Sequence, residues 1–180
     1  MKREEQIESY IALMKDYNQK VNLYSEGAYH RLDFHIQDSC RLASLVGDVS
    51  CTVVDLGSGS GLPSVILAIQ NPNNRIIAVE SKRKKTVFLE LVKQELRIKN
   101  YEVVTEDVNK WFCESRVRPD VITAKAFAPI HTILKICKSL SRSRLIVPIS
   151  LHQKNALAEL GFLFNSQFEA DGFYYLEKML

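Results

Sequence analysis

Three glycines at alternate positions mark the stretch of this sequence best suited to hold a ligand. The run Thr52–Leu56 is apolar and reads as a buried strand, and Pro63 is typical of the start of a helix. Glycine lets the backbone approach a ligand closely, and the N–H groups that open a helix point at whatever lies over the turn. The stretch therefore predicts a binding site for a polar or anionic group. Its candidate binding residues are Asp55, Gly57, Ser58, Gly59, Gly61 and Leu62.

A further candidate residue is the acid at the end of the next apolar strand. Arg75–Glu80 ends in Glu80, about 20 positions beyond the glycines, where an acid is placed to bind two ribose hydroxyls. The alternative is an acid that only precedes the helix following Ser81. Together, the glycine loop (residues 57–61) and Glu80 predict a nucleoside ligand.

The spacing of the glycine loop narrows the class of nucleoside. Nicotinamide and flavin sites use G-x-G-x-x-G, whereas this loop reads G-x-G-x-G with Asp55 two residues before it. That arrangement resembles the first motif of S-adenosylmethionine-dependent methyltransferases. The resemblance implies S-adenosyl-L-methionine as the cofactor, with its methionine part above the loop and near Asp55. A nicotinamide dehydrogenase is the alternative, and the spacing disfavours it.

Length and composition predict one globular domain over residues 1–180. The chain has 46% hydrophobic and 25% charged residues, and no run long enough to span a membrane. The four cysteines have no paired spacing, so we expect reduced thiols, no metal site and a cytoplasmic location. We also expect a monomer.

Alternating strand and helix patterns predict an α/β fold with a parallel sheet covered on both faces. Amphipathic patterns at residues 4–21 and 30–46 predict an N-terminal helical cap (1–49) before a core (50–180). Further strands are predicted at 101–105, 120–124, 144–149, 162–168 and 173–178. Further helices are predicted at 62–70, 82–99, 129–139 and 152–160. Ligands of such sheets bind at the carboxyl ends of the strands, where the predicted site residues lie.

Five stretches together resemble the RsmG (GidB) family of bacterial 16S ribosomal RNA guanine-N7 methyltransferases. They are Tyr17-Asn18 with Asn22-Leu23, His35 with Asp38-Ser39, Asp55 to Pro63, Glu80-Ser81 with Lys84-Lys85 and Phe88-Leu89, and Ala126-Phe127-Ala128. The resemblance implies a Rossmann-like, class I methyltransferase sheet. It implies that Gly57 and Leu62 line the cofactor and that Asp107, Val108 and Asn109 meet its adenine.

The chain departs from this family at positions near the expected site. Lys125 stands where the family usually has Arg, and it keeps the charge but loses the two-pronged hydrogen bonding. The Arg-x-Glu usual after the third strand is replaced by the stretch from Thr105 to Asn109. Lys125 is our candidate contact to substrate or cofactor, and a solvated lysine at the end of a strand is the alternative.

Basic residues predict a polyanionic partner. Residues 75–154 carry 17 Lys and Arg against 8 Asp and Glu, whereas the rest of the chain carries 7 against 13. Lys82, Arg83, Lys84 and Lys85 open a helix, where the dipole disfavours cations, so we interpret them as contacts to RNA phosphates. Solvated surface charge is the alternative.

Methylation at guanine N7 explains why the sequence shows no catalytic triad. N7 has a lone pair and no proton to lose, so alignment of the reacting atoms replaces a general base. The resemblance implies small-subunit ribosomal RNA, or its assembling particle, as the partner. A non-catalytic RNA-binding or ribosome-assembly protein, or a methyltransferase with a shifted substrate, is the alternative. His35 and Asp38, one helical turn apart, are interpreted as a structural pair that ties the cap to the core, and orientation of the substrate is the alternative.

Overall fold

The computed structural model describes residues 2–21, 23, 30–140, 142–159, 166–170 and 173–180. Within these residues there are seven α-helices and seven strands; after an initial pair of helices, strands and helices alternate as far as the two consecutive strands β6 and β7. The helices are α1 (Arg3–Lys20), α2 (Leu32–Val46), α3 (Ser64–Gln70), α4 (Arg83–Glu95), α5 (Val108–Glu114), α6 (Ile130–Ile136) and α7 (Leu151–Glu159). The strands are β1 (Thr52–Leu56), β2 (Arg75–Glu80), β3 (Tyr101–Thr105), β4 (Val121–Thr123), β5 (Arg144–Ile149), β6 (Ser166–Ala170) and β7 (Phe173–Met179).

The strands form one sheet in the order β3-β2-β1-β4-β5-β7-β6. Strands β1 to β5 are parallel, and β7 joins β5 in antiparallel orientation and carries β6 on its other side. The order reverses between β1 and β4, which places the topological switch point beside the glycine loop. The predicted parallel α/β sheet is confirmed.

A hydrophobic core covers each face of the sheet. On one face, Tyr10 and Met14 of α1 and Leu42 of α2 pack with α3 and α4 against β1 and β2. On the other face, α5 and α6 cover Val54, Ile77 and their neighbours. The two N-terminal helices therefore share a core with the strands that carry the candidate site.

Most predicted boundaries lie within one or two residues of the observed ones, but one predicted helix end is wrong and one helix was missed. The helix predicted at 82–99 ends at Glu95, because Arg97 takes a φ of 53° and the chain turns there. No helix was predicted at 108–114, where α5 lies. Asn22, Gly161 and the first part of the strand predicted at 162–168 lie outside the described residues.

Candidate active site at the carboxyl edge of the sheet

Hydrogen bonds from two neighbouring elements hold the glycine loop. The N–H groups of Gly57 and Ser58 donate to the carbonyl oxygen of Val79 on β2, at 2.8 and 3.1 Å. The Tyr10 hydroxyl of α1 donates to the Ser60 carbonyl oxygen at 2.8 Å. A Cβ added at Gly61 would lie 2.6 Å from Cγ2 of Val65. Gly61 is therefore required by packing against α3, whereas Gly57 and Gly59 are partly exposed at the edge of the sheet.

Phe127 covers the first glycine of the loop. Gly57 has a φ of 67°, and a Cβ added to it would lie 2.2 Å from Cδ2 of Phe127. Phe127 follows β4, so this contact joins the loops after β1 and β4 across the switch point. Only glycine fits at position 57 against this ring.

Glu80 braces the glycine loop from the tip of β2. Its Oε2 accepts the N–H of Gly59 at 3.0 Å, and its Oε1 accepts the N–H of Lys82 at 2.8 Å. The side chain is buried. Glu80 thus fits both interpretations, as a ligand-binding acid and as an acid that precedes a helix. One carboxyl oxygen binds the glycine loop and the other binds the start of α4.

Asp55 is a buried carboxylate beneath the loop. Its side chain is 1% exposed, and among the described residues neither carboxyl oxygen has a hydrogen-bond partner. Ser58 and Ser64 lie close enough to this carboxyl group to act on it, although Ser58 donates to the Asp55 main-chain oxygen and Ser64 pairs with Tyr101. Burial raises the pKa of Asp55 to about 7. A buried carboxylate in this state favours a cationic or hydrogen-bond-donating ligand group.

Lys125 forms an ion pair and is only partly exposed. Its side chain is 13% exposed, and its Nζ lies 2.6 Å from Oδ2 of Asp38 on α2. It also donates to the His35 carbonyl oxygen at 3.2 Å. Burial lowers the pKa of Lys125, and the charge of Asp38 opposes that effect. The alternative of a solvated lysine is wrong, and Asp38 ties the cap to the core through Lys125.

The basic run at the start of α4 divides into two parts. Lys82, Arg83 and Lys84 are exposed, whereas Lys85 is only partly exposed. A Cβ added at Gly59 would lie 3.7 Å from Nζ of Lys85, so this ammonium lies beside the glycine loop. The first three cations are available to a large partner, and Lys85 is placed for the ligand of the loop.

The stretch expected to meet adenine forms the start of α5. Asp107 is the N-cap, and its carboxylate accepts the N–H groups of Asn109 and Lys110. These bonds, that of Lys110 foremost, lower the pKa of Asp107. Val108 is buried in the core, while Asp107 and Asn109 are exposed. Contact of these three residues with adenine stays a prediction.

The comparison with protein families decides the family of the chain. The family model described as rRNA small subunit methyltransferase G (GidB) matches residues 3–160. The chain belongs to the GidB family. The glycine loop, Glu80, Lys125 and α5 all lie within the matched residues.

Curated relatives within the GidB family carry the same name. A ribosomal RNA small subunit methyltransferase G from Brachyspira hyodysenteriae is 39% identical over 150 residues, covering 81% of this chain and 70% of the relative. Another from Fusobacterium nucleatum is 36% identical over 129 residues, covering 70% of this chain and 55% of the relative. The chain thus spans about half to two thirds of the length of these relatives.

Two solved structures with a similar fold are methyltransferases of low sequence identity to this chain. A SAM-dependent methyltransferase from Aquifex aeolicus has a TM-score of 0.61 at 14% identity, covering 86% of this chain and 98% of that one. An rRNA methylase from Streptococcus thermophilus has a TM-score of 0.55 at 19% identity, covering 79% and 94%. These likenesses establish that the GidB chain has the class I methyltransferase fold.

Several site residues escaped the sequence analysis. Thr123 is the register partner of Asp55, and its buried hydroxyl has no hydrogen-bond partner among the described residues. Tyr10 binds the glycine loop from a helix that sequence patterns assign only to the cap. Phe127 belongs to a stretch typical of the GidB family, and that stretch was the only sequence signal for it.

Within the described part of the chain, no helix combines the length and apolar character needed to cross a membrane.

Proposed function

We propose that the chain is an S-adenosylmethionine-dependent methyltransferase that modifies guanine N7 in small-subunit ribosomal RNA. The observation that carries this proposal is membership of the GidB family over residues 3–160, together with a glycine loop that Glu80 braces at the switch point. Ligands of doubly wound sheets bind at that point, beyond the carboxyl ends of the strands.

The residues at the switch point fit S-adenosylmethionine. The cofactor carries a sulfonium and an ammonium, and Asp55 is a buried carboxylate without a hydrogen-bond partner in the described residues. Glu80 has both oxygens at the edge where ribose hydroxyls are expected. Asp55, Gly57, Ser58, Gly59, Gly61, Leu62 and Glu80 would hold the cofactor, which supplies a methyl group on its sulfonium when bound.

The chain's part in the proposed reaction is to align the reactants. Guanine N7 needs no deprotonation before it accepts a methyl group, so the site requires no general base. Holding two reactants in line supplies a large share of such a rate enhancement. The rigid loop, the Phe127 ring and the ion pair of Lys125 and Asp38 are suited to that task because each is fixed by packing or short hydrogen bonds.

Ribosomal RNA, or the particle in which it assembles, is the proposed partner. Lys82, Arg83 and Lys84 are exposed and follow the tip of β2, beside the glycine loop. An RNA substrate would approach this edge of the sheet. An RNA substrate of this kind would be met in the cytoplasm, so we expect the protein to act there. A monomeric state also stays a prediction.

The test combines cofactor binding with methyl transfer. Calorimetry should show binding of S-adenosylmethionine by the wild type, and none by Gly59→Val, which places a branched side chain at a φ of 61°. The purified protein should then transfer labelled methyl groups to small-subunit ribosomal RNA from a strain lacking this gene. Mass spectrometry of the digested RNA should find 7-methylguanosine.

Each negative outcome has its own meaning. Methylation at another atom or of another RNA would make the protein a methyltransferase with a shifted substrate. Binding of RNA without methyl transfer to naked RNA or to isolated small-subunit particles would favour the non-catalytic alternative. Binding of nicotinamide cofactors in place of S-adenosylmethionine would overturn the proposal at the level of the cofactor.

A further inference from the structure

A buried ion pair connects the cap to the end of β4. Asp38 and Lys125 lie 2.6 Å apart with side chains 7% and 13% exposed. A buried pair is favourable only when the remaining polar atoms of both partners are hydrogen-bonded. One further bond of Lys125 goes to the His35 carbonyl oxygen, and the second carboxyl oxygen of Asp38 requires a donor of its own.

Tyr175 on β7 supplies that donor. Its hydroxyl donates to Oδ1 of Asp38 at 2.8 Å and lies 3.1 Å from the Asp38 main-chain oxygen. The residue is 4% exposed, and burial raises the pKa of its phenol, so the hydroxyl stays protonated. Three elements far apart in the sequence thus meet at one carboxylate. Tyr175 lies beyond the residues 3–160 that the family model matches.

The ion pair lies beside the candidate site. Lys125 follows Thr123 by two positions, and Thr123 is the register partner of Asp55 on β1. Lys125 lies just past the end of β4, whose last residue is Thr123. The charge of Asp55 acts on Lys125. Phe127, two positions further on, covers Gly57.

We propose that Tyr175 is a positioning residue for methyl transfer: its hydroxyl fixes Asp38, and Asp38 fixes the ammonium of Lys125 at the edge of the site. This inference rests on the function proposed above. A lysine ends in a point charge on a flexible stem, whereas an arginine could fix itself to Asp38 by two parallel bonds. The ammonium of Lys125 is therefore held in one position only if the Asp38 carboxylate is itself fixed, and the hydroxyl of Tyr175 on β7 fixes it.

Tyr175→Phe tests the proposal because it removes only the hydroxyl. We expect kcat for ribosomal RNA methylation to fall about tenfold, the effect of losing one hydrogen bond to a charged group. The affinity for S-adenosylmethionine should stay within about twofold of wild type, since the cofactor loop is untouched. Tyr174→Phe is the matched control, because the neighbouring ring packs on Lys154 and lies away from Asp38. A purely structural role would lower the melting temperature and leave kcat unchanged.

A double-mutant cycle tests whether Tyr175 affects kcat through Lys125. In a Lys125→Met background, Tyr175→Phe should lower kcat by less than about twofold, because the group that Tyr175 positions is gone. An equal loss of kcat in both backgrounds would overturn the proposal, since Tyr175 would then act independently of Lys125.

Nuclear magnetic resonance of the lysine ammonium groups gives a second answer, which remains available where Lys125→Met does not fold. The ¹⁵N resonance of Lys125 should shift in Tyr175→Phe and stay in place in Tyr174→Phe; an unchanged resonance would overturn the positioning role. A wild type without methyl transfer would refute the proposed function, and this measurement would still decide whether Tyr175 positions Lys125.

Discussion

Burial of the Asp55 carboxyl group makes the stability of the fold depend on pH. Its folded-state pKa of about 7 lies above the ordinary aspartate pKa of 3.8. The folded state therefore binds more protons between these two values, and the free energy of unfolding contributed by Asp55 falls as pH rises through this window. The difference corresponds to at most about 4 kcal/mol.

Asp55→Asn should remove this dependence. Denaturant unfolding at pH values from 4 to 8 should show the wild type losing stability relative to Asp55→Asn as pH rises, with a plateau above the folded pKa. Parallel curves for the two proteins would mean that the carboxylate is solvated in the folded state. Added S-adenosylmethionine should reduce the difference at neutral pH if its cationic groups bind near Asp55.

Gly57 and Gly47 provide a matched pair for testing the contact with Phe127. Both have positive φ angles, but a Cβ at Gly47 would meet only Val49 at 3.5 Å, whereas at Gly57 it would clash with the Phe127 ring. Gly47→Ala should cost about 1–3 kcal/mol of unfolding free energy through backbone strain alone, and Gly57→Ala should cost about 1–3 kcal/mol more through the clash with Phe127. Urea unfolding measures both, and adding Phe127→Ala should recover part of the excess. Equal losses at the two glycines would rule out the steric role of Phe127.

The elements that carry the site were predictable where local patterns determine them. The predicted bounds of β1 and β2 match the observed ones, because each strand is an apolar run that ends at a charged or glycine-rich turn. Helix α5 was missed because it is seven residues long and its N-cap, Asp107, stands in a stretch interpreted as a ligand loop. The ion pair of Lys125 and Asp38 and the bond from Tyr175 join residues 87 and 137 positions apart. No local pattern encodes such contacts, since they depend on how β4, β7 and α2 pack.

Glu80 connects the glycine loop, β2 and α4, so its loss should affect both binding and loop order. Glu80→Ala removes the acceptor of the Gly59 and Lys82 N–H groups. We expect S-adenosylmethionine to bind more weakly by about 1–3 kcal/mol. Calorimetry measures the change, and Glu95→Ala, an exposed acid at the other end of α4, is the control. Unchanged affinity in Glu80→Ala would remove this acid from the cofactor site.

At the scale of the molecule, part of the basic excess is neutralised by ion pairs. Lys125 pairs with Asp38, Arg144 with Glu177, and Lys110 with Glu106. Within the described residues, Lys82, Arg83 and Lys84 have no ion-pair partner and lie exposed at the start of α4. Uncompensated cations beside the site are what an RNA substrate would neutralise, with release of its counterions.

The salt dependence of RNA binding tests this surface. Each phosphate contact contributes a slope of about −0.7 to −0.9 to the log–log plot of affinity against salt, so Lys82→Ala with Lys84→Ala should make the slope shallower by up to about 1.8. The affinity for S-adenosylmethionine should not change, because the Lys82 N–H that Glu80 accepts is a main-chain group. Filter binding of small-subunit ribosomal RNA from low to moderate salt gives both slopes.

Arg97→Ala with Lys99→Ala is the control for charge alone. Both residues are exposed and follow the other end of α4, so this variant removes the same charge away from the carboxyl edge of the sheet. Its slope should equal that of the wild type. Equal shallowing in the two variants would mean that RNA responds to net charge, and equal slopes in all three proteins would mean that the cations of α4 are solvated surface. Only a change confined to Lys82 and Lys84 supports an RNA path across the start of α4 to the cofactor loop.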